Sequence, residues 1–209
     1  MRVETYGGNG YAANCYIVTD AAESACVVVD PSVDVHTVFR QRGKTLPPLA
    51  AILLTHAHFD HMLALDDWRN MTGAPLLLHT LDAPALADPE KNVYRLFLHK
   101  DVTAAPAERL LSAGDTVTVG DEALAVWHTP GHTPGSVVFA APGILLTGDT
   151  LFAGDIGRTD LPGGNATEMR ASLACLSRRA NDTDRIYPGH GGSTTFAFEK
   201  LRIPYLKTE

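Results

Sequence analysis

The stretch Thr55-His56-Ala57-His58-Phe59-Asp60-His61 follows directly on the apolar run Ala50-Ala51-Ile52-Leu53-Leu54. The run is short and uninterrupted, as a buried strand is. Three histidines and an aspartate then fall within six residues. His56 and His58 stand two apart at a strand end, so both can point to one side and grip one cation. Asp60 and His61 come where the chain turns into a helix, so they face a second position close by. Imidazole and carboxylate without thiolate suit zinc, iron or manganese in a catalytic rather than a structural site.

The elements around this stretch alternate. Arg2–Tyr6, Cys15–Thr19 and Ala25–Val29 read as strands, the first two joined by the turn Gly7-Gly8-Asn9-Gly10. Val33–Arg42 reads as an amphipathic helix closed by Gly43, and His61–Met71 as another ended by Gly73. Pro75–His79 is an apolar strand and Thr80–Ala87 a short helix. From Leu110 the pattern changes to strands at Thr116–Val119, Glu122–His128, Ser136–Ala140 and Ile144–Thr147, each punctuated by Gly or Pro. Asn165–Arg179 is a helix with Met169, Leu173 and Leu176 on one face. Arg185–Tyr187 is a last strand, and Thr194–Leu201 a last short helix. Two halves of similar order predict an α/β domain of two sheets packed face to face with helices outside.

Three later strand ends repeat the grammar of the first. His132 lies in Thr129-Pro130-Gly131-His132-Thr133-Pro134-Gly135, Asp149 in Thr147-Gly148-Asp149-Thr150, and His190 in Tyr187-Pro188-Gly189-His190-Gly191. Each is a ligand-type residue on a glycine-containing turn after an apolar strand, and glycine lets backbone approach a crowded centre. Four such ends are hard to explain as packing.

Taken together, H-x-H-x-D-H, T-P-G-H-T-P-G, T-G-D and P-G-H-G resemble the metallo-β-lactamase superfamily over nearly the whole chain. The resemblance implies an αββα sandwich, two mixed β-sheets flanked by helices, with a dinuclear centre at one edge. It implies that His56, His58 and His132 hold one metal, that Asp60, His61 and His190 hold the other, and that Asp149 bridges them. Zinc is the expected pair, with iron or manganese as alternatives. Within the superfamily, the segments around His132 and Asp149 resemble the glyoxalase II branch, which hydrolyses S-(hydroxyacyl)glutathione thioesters. There, water activated between the two ions attacks the thioester carbonyl, with Asp60 and Asp149 as the catalytic carboxylates. The loop Gly154–Gly164 matches the short members of that branch and puts Arg158 in the basic, substrate-binding position. A single domain over residues 1–209 is expected, without the C-terminal helical glutathione-binding domain of long members.

Gly157-Arg158-Thr159-Asp160 is also similar to mononuclear-iron persulfide dioxygenases, whose one metal would sit among the equivalents of His56, His58, His132 and Asp149. Ile156 and Leu161 stand where those enzymes carry a cysteine and an aromatic. A lactone or other ester hydrolase of the superfamily is the remaining alternative.

Composition narrows the partners. The 209 residues are 45% apolar and 20% charged, with a net charge of −7 and no basic stripe. Nucleic acid and anionic membrane are therefore not expected as partners. A small-molecule thioester is expected, acted on by a monomer or homodimer. No run of about 18 apolar residues occurs, and the N-terminus has no apolar core of a secretory signal. Cys15, Cys26 and Cys175 fit no ligand pattern and read as buried hydrophobes, so a reducing cytoplasm is expected.

Other polar residues read as supporting. Asp30 either orients a ligand histidine or caps its strand, and Thr55 positions the histidine loop. His79 and His128 read as packing or supporting residues, and His36 and His99 as surface residues. Pro89–Ala107 reads as a lid, a substrate loop or a packed connector, with Tyr94 and Phe97 as candidate pocket wall.

Overall fold

The computed structural model describes residues 1–7, 10–43 and 45–207. The turn expected at Gly7–Gly10 falls partly on Gly8 and Asn9, which lie outside the described residues.

Among the described residues, twelve strands form two six-stranded sheets. The first holds β1 (Arg2–Tyr6), β2 (Cys15–Thr19), β3 (Cys26–Val29), β4 (Leu49–Leu53), β5 (Leu76–His79) and β6 (Arg109–Leu111), paired in chain order. β1 to β3 pair antiparallel and β3 to β6 parallel. The second holds β7 (Thr116–Val119), β8 (Glu122–His128), β9 (Val137–Ala141), β10 (Ile144–Gly148), β11 (Arg185–Pro188) and β12 (Thr194–Thr195). There β10 and β11 pair parallel, and the other neighbours pair antiparallel.

Side-chain alternation explains the layering. Val27 and Val29 point to one face of β3 and meet Val126, Phe139 and Leu146 of the other sheet. Cys26 and Val28 point to the opposite face. There they pack with Val35 and Val38 of α1 (Val35–Arg42) and with Leu65 and Trp68 of α2 (Leu65–Thr72). Across the second sheet, Val138, Leu145 and Ile186 pack on Met169, Leu173 and Leu176. Those three belong to α4 (Ala166–Arg179), while α3 (Tyr94–Leu98) and α5 (Phe196–Arg202) are shorter. Strands buried on both faces must be continuously apolar, which is why they lack polar alternation. The predicted αββα sandwich is the observed fold.

Several boundaries differ from expectation. α1 starts at Val35 because the Asp34 side chain accepts from Thr37 N and caps it. α4 is capped as the sequence suggests, with Asn165 accepting from Thr167 N and Glu168 N. The helix expected at His61–Met71 begins only at Leu65. Before it, a 3-10 turn over Phe59–His61 tightens the chain, with Met62 N donating to Phe59 O. That turn folds Asp60 and His61 back toward β4. β6 has no counterpart among the expected strands, since three residues behind a Pro- and Ala-rich stretch give no periodicity. The expected last helix is split, with β12 taking Thr194 and Thr195. Within Pro89–Ala107, α3 and the fully buried Asn92 make a packed connector. Asn92 O accepts from Phe59 N, and its Nδ2 donates to Val102 O. His36 and His99 are exposed.

Candidate metal centre

The strands β4, β8, β10 and β11 end at one edge of the sandwich, and each releases its ligand-type residue there. β4 leads into Thr55, whose N and Oγ1 both donate to the Asp30 carboxylate at 2.8 Å. Asp30 sits just after β3 in the left-handed region at φ 52°. Its Oδ2 also accepts from Nδ1 of His61 at 2.9 Å. Because Thr55 Oγ1 gives its proton to Asp30, its lone pair can accept Nδ1–H of His56 at 3.2 Å. His132 Nδ1 donates to the carbonyl of Arg158 at 2.8 Å. Each bond fixes the tautomer and leaves Nε2 bare. Asp30 thus orients a histidine, the first of the two readings given to it.

The bare atoms converge. Ligand atoms of His56, His58 and His132 lie within 4.8 Å of one another. The same holds for His56, His61 and Asp149, and for Asp60, His61 and His190. His61 Nε2 is 3.2 Å from Asp149 Oδ1 without the alignment of a hydrogen bond, and His132 Nε2 is 3.5 Å from Asp149 Oδ2. His190 Nε2 donates to Asp60 Oδ2 at 3.0 Å. All seven residues singled out from sequence share one cluster.

Gly189 lets this happen. A Cβ there would overlap Asp149 Oδ1 and come within 2.7 Å of His61 Cε1. No other residue leaves room for β11 to deliver His190 beside Asp149.

The cluster fits metal ions on its own evidence. Among the described residues, six buried side-chain polar atoms lack a hydrogen-bond partner, and five belong here. They are Nε2 of His56, His58, His61 and His132, and Oδ1 of Asp149. Leaving such groups unsatisfied costs about 1–3 kcal/mol each, against a typical total stability of about 5–15 kcal/mol. Coordination would remove that penalty.

The electrostatics agree. Burial, reinforced by neighbouring imidazoles, holds His56 well below the ordinary histidine value and His58 down to about 3. Both stay neutral and keep a lone pair to donate. Burial also opposes a charge on His61, yet the carboxylates of Asp30, Asp149 and Asp60 outweigh it and push its pKa well above normal. Burial opposes ionisation of Asp60 and Asp149 too, but the surrounding imidazoles hold both below the ordinary carboxylate value. The edge of the sandwich is therefore built to attract positive charge.

Asp82 escaped the sequence reading. It is buried in the 3-10 segment Thr80–Ala87, and its carboxylate accepts from Ala57 N, Thr133 Oγ1 and Gly135 N. It ties the first histidine loop to the His132 loop. Leu81-Asp82-Ala83-Pro84 looks like any turn, so only the tertiary contacts reveal it. His79 and His128 are not at the centre; they stack on each other at 4.1 Å.

A cleft of about 330 Å³ opens over the cluster. Tyr11, Phe59, Phe97, Phe152, Ile156 and Leu161 give it an apolar wall. Phe97 lines it as expected, while Tyr94 packs against Phe59 instead. Arg158 stands at the cleft but forms a two-pronged pair with Asp160 at 2.7 and 2.8 Å.

The sequence pattern of the metallo-beta-lactamase superfamily matches residues 8–190. The chain belongs to that superfamily. A probable metallo-hydrolase of Bacillus subtilis, YqgX, is 36% identical over 197 residues, 93% of this chain and 92% of the relative. Hydroxyacylglutathione hydrolase GloC of Haemophilus influenzae is 27% identical over 212 aligned positions, spanning 100% of both chains. The crystal structure of BLEG-1, a B3 metallo-beta-lactamase, superposes with a TM-score of 0.90 at 33% identity, covering 99% of this chain and 100% of that one. TTHA1623 in a di-iron-bound form gives 0.81 at 32%, covering 98% and 100%. ETHE1 from Myxococcus xanthus gives 0.76 at 26%, covering 98% and 84%. These matches place the chain among the metallo-hydrolases of the superfamily, with a His and Asp cluster suited to two metals. No helix among the described residues is long and apolar enough to cross a membrane.

Proposed function

We propose that this protein hydrolyses small-molecule thioesters of the S-(hydroxyacyl)glutathione type. The observation that carries the reading is the convergence of three ligand sets, joined through His56 and His61, beneath an apolar cleft. The full-length similarity to a hydroxyacylglutathione hydrolase supports the substrate class. His56, His58 and His132 would hold one ion, Asp60, His61 and His190 the other, with Asp149 between them. Zinc suits the imidazole-rich set, and iron or manganese fits the same donors.

Bound divalent ions would supply Lewis acidity, making water acidic enough to ionise near neutral pH and polarising a carbonyl oxygen. The chain does the rest. Asp60 and Asp149 accept hydrogen bonds from the attacking water and orient it. The apolar wall shields the thioester from bulk water. Attack at the carbonyl carbon breaks the C–S bond; the thiolate leaves and a carboxylic acid forms. Arg158 can turn from Asp160 to a substrate carboxylate, because both side chains are exposed to water and the two-pronged geometry that Asp160 offers is one any carboxylate reproduces.

A second reading, a mononuclear-iron persulfide dioxygenase, rests on Gly157-Arg158-Thr159-Asp160. Convergence of Asp60, His61 and His190 as a further ligand set weighs against it. The net charge of −7 supports a small-molecule partner rather than nucleic acid or membrane. We place the protein in a reducing cytoplasm, as a monomer or homodimer acting through one domain; the buried free thiols of Cys15 and Cys26 support that compartment. The test assays a panel of thioesters, lactones and a β-lactam with zinc-, iron- and manganese-loaded protein, alongside oxygen uptake with glutathione persulfide. Thioester turnover should dominate. One iron per chain with oxygen consumption would overturn the proposal.

A further inference from the structure

A second cleft, of about 350 Å³, adjoins the one over the metal cluster. The two share His58. They are also joined by one segment: Leu161 lines the first, and Pro162 and Gly163 line the second. The seam is tightly built. Gly163 sits at φ +85°, and a Cβ there would come within 2.8 Å of Cδ of Pro134, which lines the same cleft. A side chain at 163 would both strain the backbone and press on that proline.

The chemistry of this cleft differs from that of its neighbour. Its sides are aliphatic, from Leu81, Pro84, Ala85, Pro134 and Pro162, and its floor carries the buried Asp82 and Thr133. The carboxylate of Asp82 is saturated by Ala57 N, Thr133 Oγ1 and Gly135 N, so it is not offered to a ligand. One formal positive charge lines the cleft among the described residues, that of Lys91. Its Nζ lies 3.5 Å from Asp88 Oδ2, and both side chains are well exposed. Such a pair holds its partners weakly. The ammonium can leave Asp88 for an anion held at the edge of the apolar trough.

We infer that the cleft rimmed by Lys91 is a substrate subsite that takes the arm of the substrate ending in an anionic group. A thioester has two arms diverging from one reacting carbon. The structure has two clefts of similar size diverging from His58. Each has the volume of an ordinary small-molecule site. Arg158 stands over one and Lys91 at the other, so an elongated substrate carrying charge at both ends is gripped at both. The aliphatic walls accept the stem, and Lys91 reads the terminus. This subsite rests on the thioester reading for the reaction, but not for its shape or charge.

The test uses two non-hydrolysable thioether analogues, identical except that one arm ends in a carboxylate in the first and in its primary amide in the second. Binding of each to the metal-loaded protein is followed by calorimetry. The carboxylate analogue should bind about three- to fivefold more tightly, the value of one exposed ion pair. In Lys91→Gln that ratio should fall close to one. Leu81→Trp, at an exposed position, should weaken both analogues by narrowing the trough. Equal binding of the two analogues by the native protein, or a ratio that survives Lys91→Gln, overturns the subsite. So does full-strength binding by Leu81→Trp. The corresponding thioesters are assayed in parallel. Absence of turnover with the discrimination intact would defeat the thioester reading and leave the subsite standing.

Discussion

The carboxylate of Asp30 lies 2.9 Å from Nδ1 of His61 and at the same time receives both the amide and the hydroxyl of Thr55. Through Thr55 it reaches Nδ1 of His56. One buried anion therefore orients a histidine from each of the two ligand sets. Its position after β3 in a left-handed backbone conformation explains why it is an aspartate: Asp and Asn tolerate that region better than larger residues do.

Asp30→Asn keeps the shape and the backbone preference but removes the charge. Metal affinity should fall by about 10–100-fold, the usual effect of losing a carboxylate behind a ligand histidine. Competition titration against a chromophoric chelator reads this directly. Affinity unchanged from the native protein would show that Asp30 serves only as a strand cap.

Asp149→Ala and Asp60→Ala should abolish thioester hydrolysis while leaving the fold intact. Both carboxylates sit at the open edge of the sandwich, away from the three apolar clusters that hold its layers together. Circular dichroism checks the fold, and elemental analysis checks that metal is present. Native-like turnover in metal-loaded Asp149→Ala protein would sink the proposed mechanism.

How much of this was legible in the sequence depends on the range of the interaction. Thr55–His61, His132, Asp149 and His190 announce themselves because each follows an apolar run with a turn signal, which is local information. The layers follow for the same reason: Val27 to Val29 or Leu76 to Leu78 can be continuously apolar only between two covered faces. Asp82 is different. Its three donors come from residues 57, 133 and 135, and nothing near position 82 encodes them. The delayed start of α2 is likewise tertiary, since Phe59 N is drawn to Asn92 O across the connector. β6 pairs through only three residues with β5. The two clefts are properties of assembled loops and leave no periodic trace.

Gly189→Ala should cost metal content and stability together. The added methyl would overlap Asp149 Oδ1 and crowd His61, whose ring is held by Asp30 and cannot retreat freely. Overpacking of this kind typically costs about 1–3 kcal/mol. Thermal melting and elemental analysis should both fall relative to Gly191→Ala. Gly191 has nothing within 4 Å of an added Cβ, although its φ of +78° carries its own strain. A smaller effect at 189 than at 191 would mean that β11 can shift without penalty.

His79 gives a pH signature separate from the metal cluster. Burial, aided by the neighbouring imidazole of His128, pushes its pKa down to about 4, and the two rings stack at 4.1 Å. A depressed histidine is neutral in the folded chain while its unfolded counterpart takes up a proton near pH 6.5. The unfolded state therefore binds more protons between these two values, so stability rises with pH across that window. The contribution is complete above about pH 6.5 and is lost as pH falls toward 4. His79→Phe keeps a ring against His128 and removes the titration. Unfolding by urea should show a shallower acid limb between pH 6.5 and 4 in the variant, read as the difference from the native curve so that the metal-cluster histidines cancel. Parallel limbs in the two proteins would place the proton uptake elsewhere.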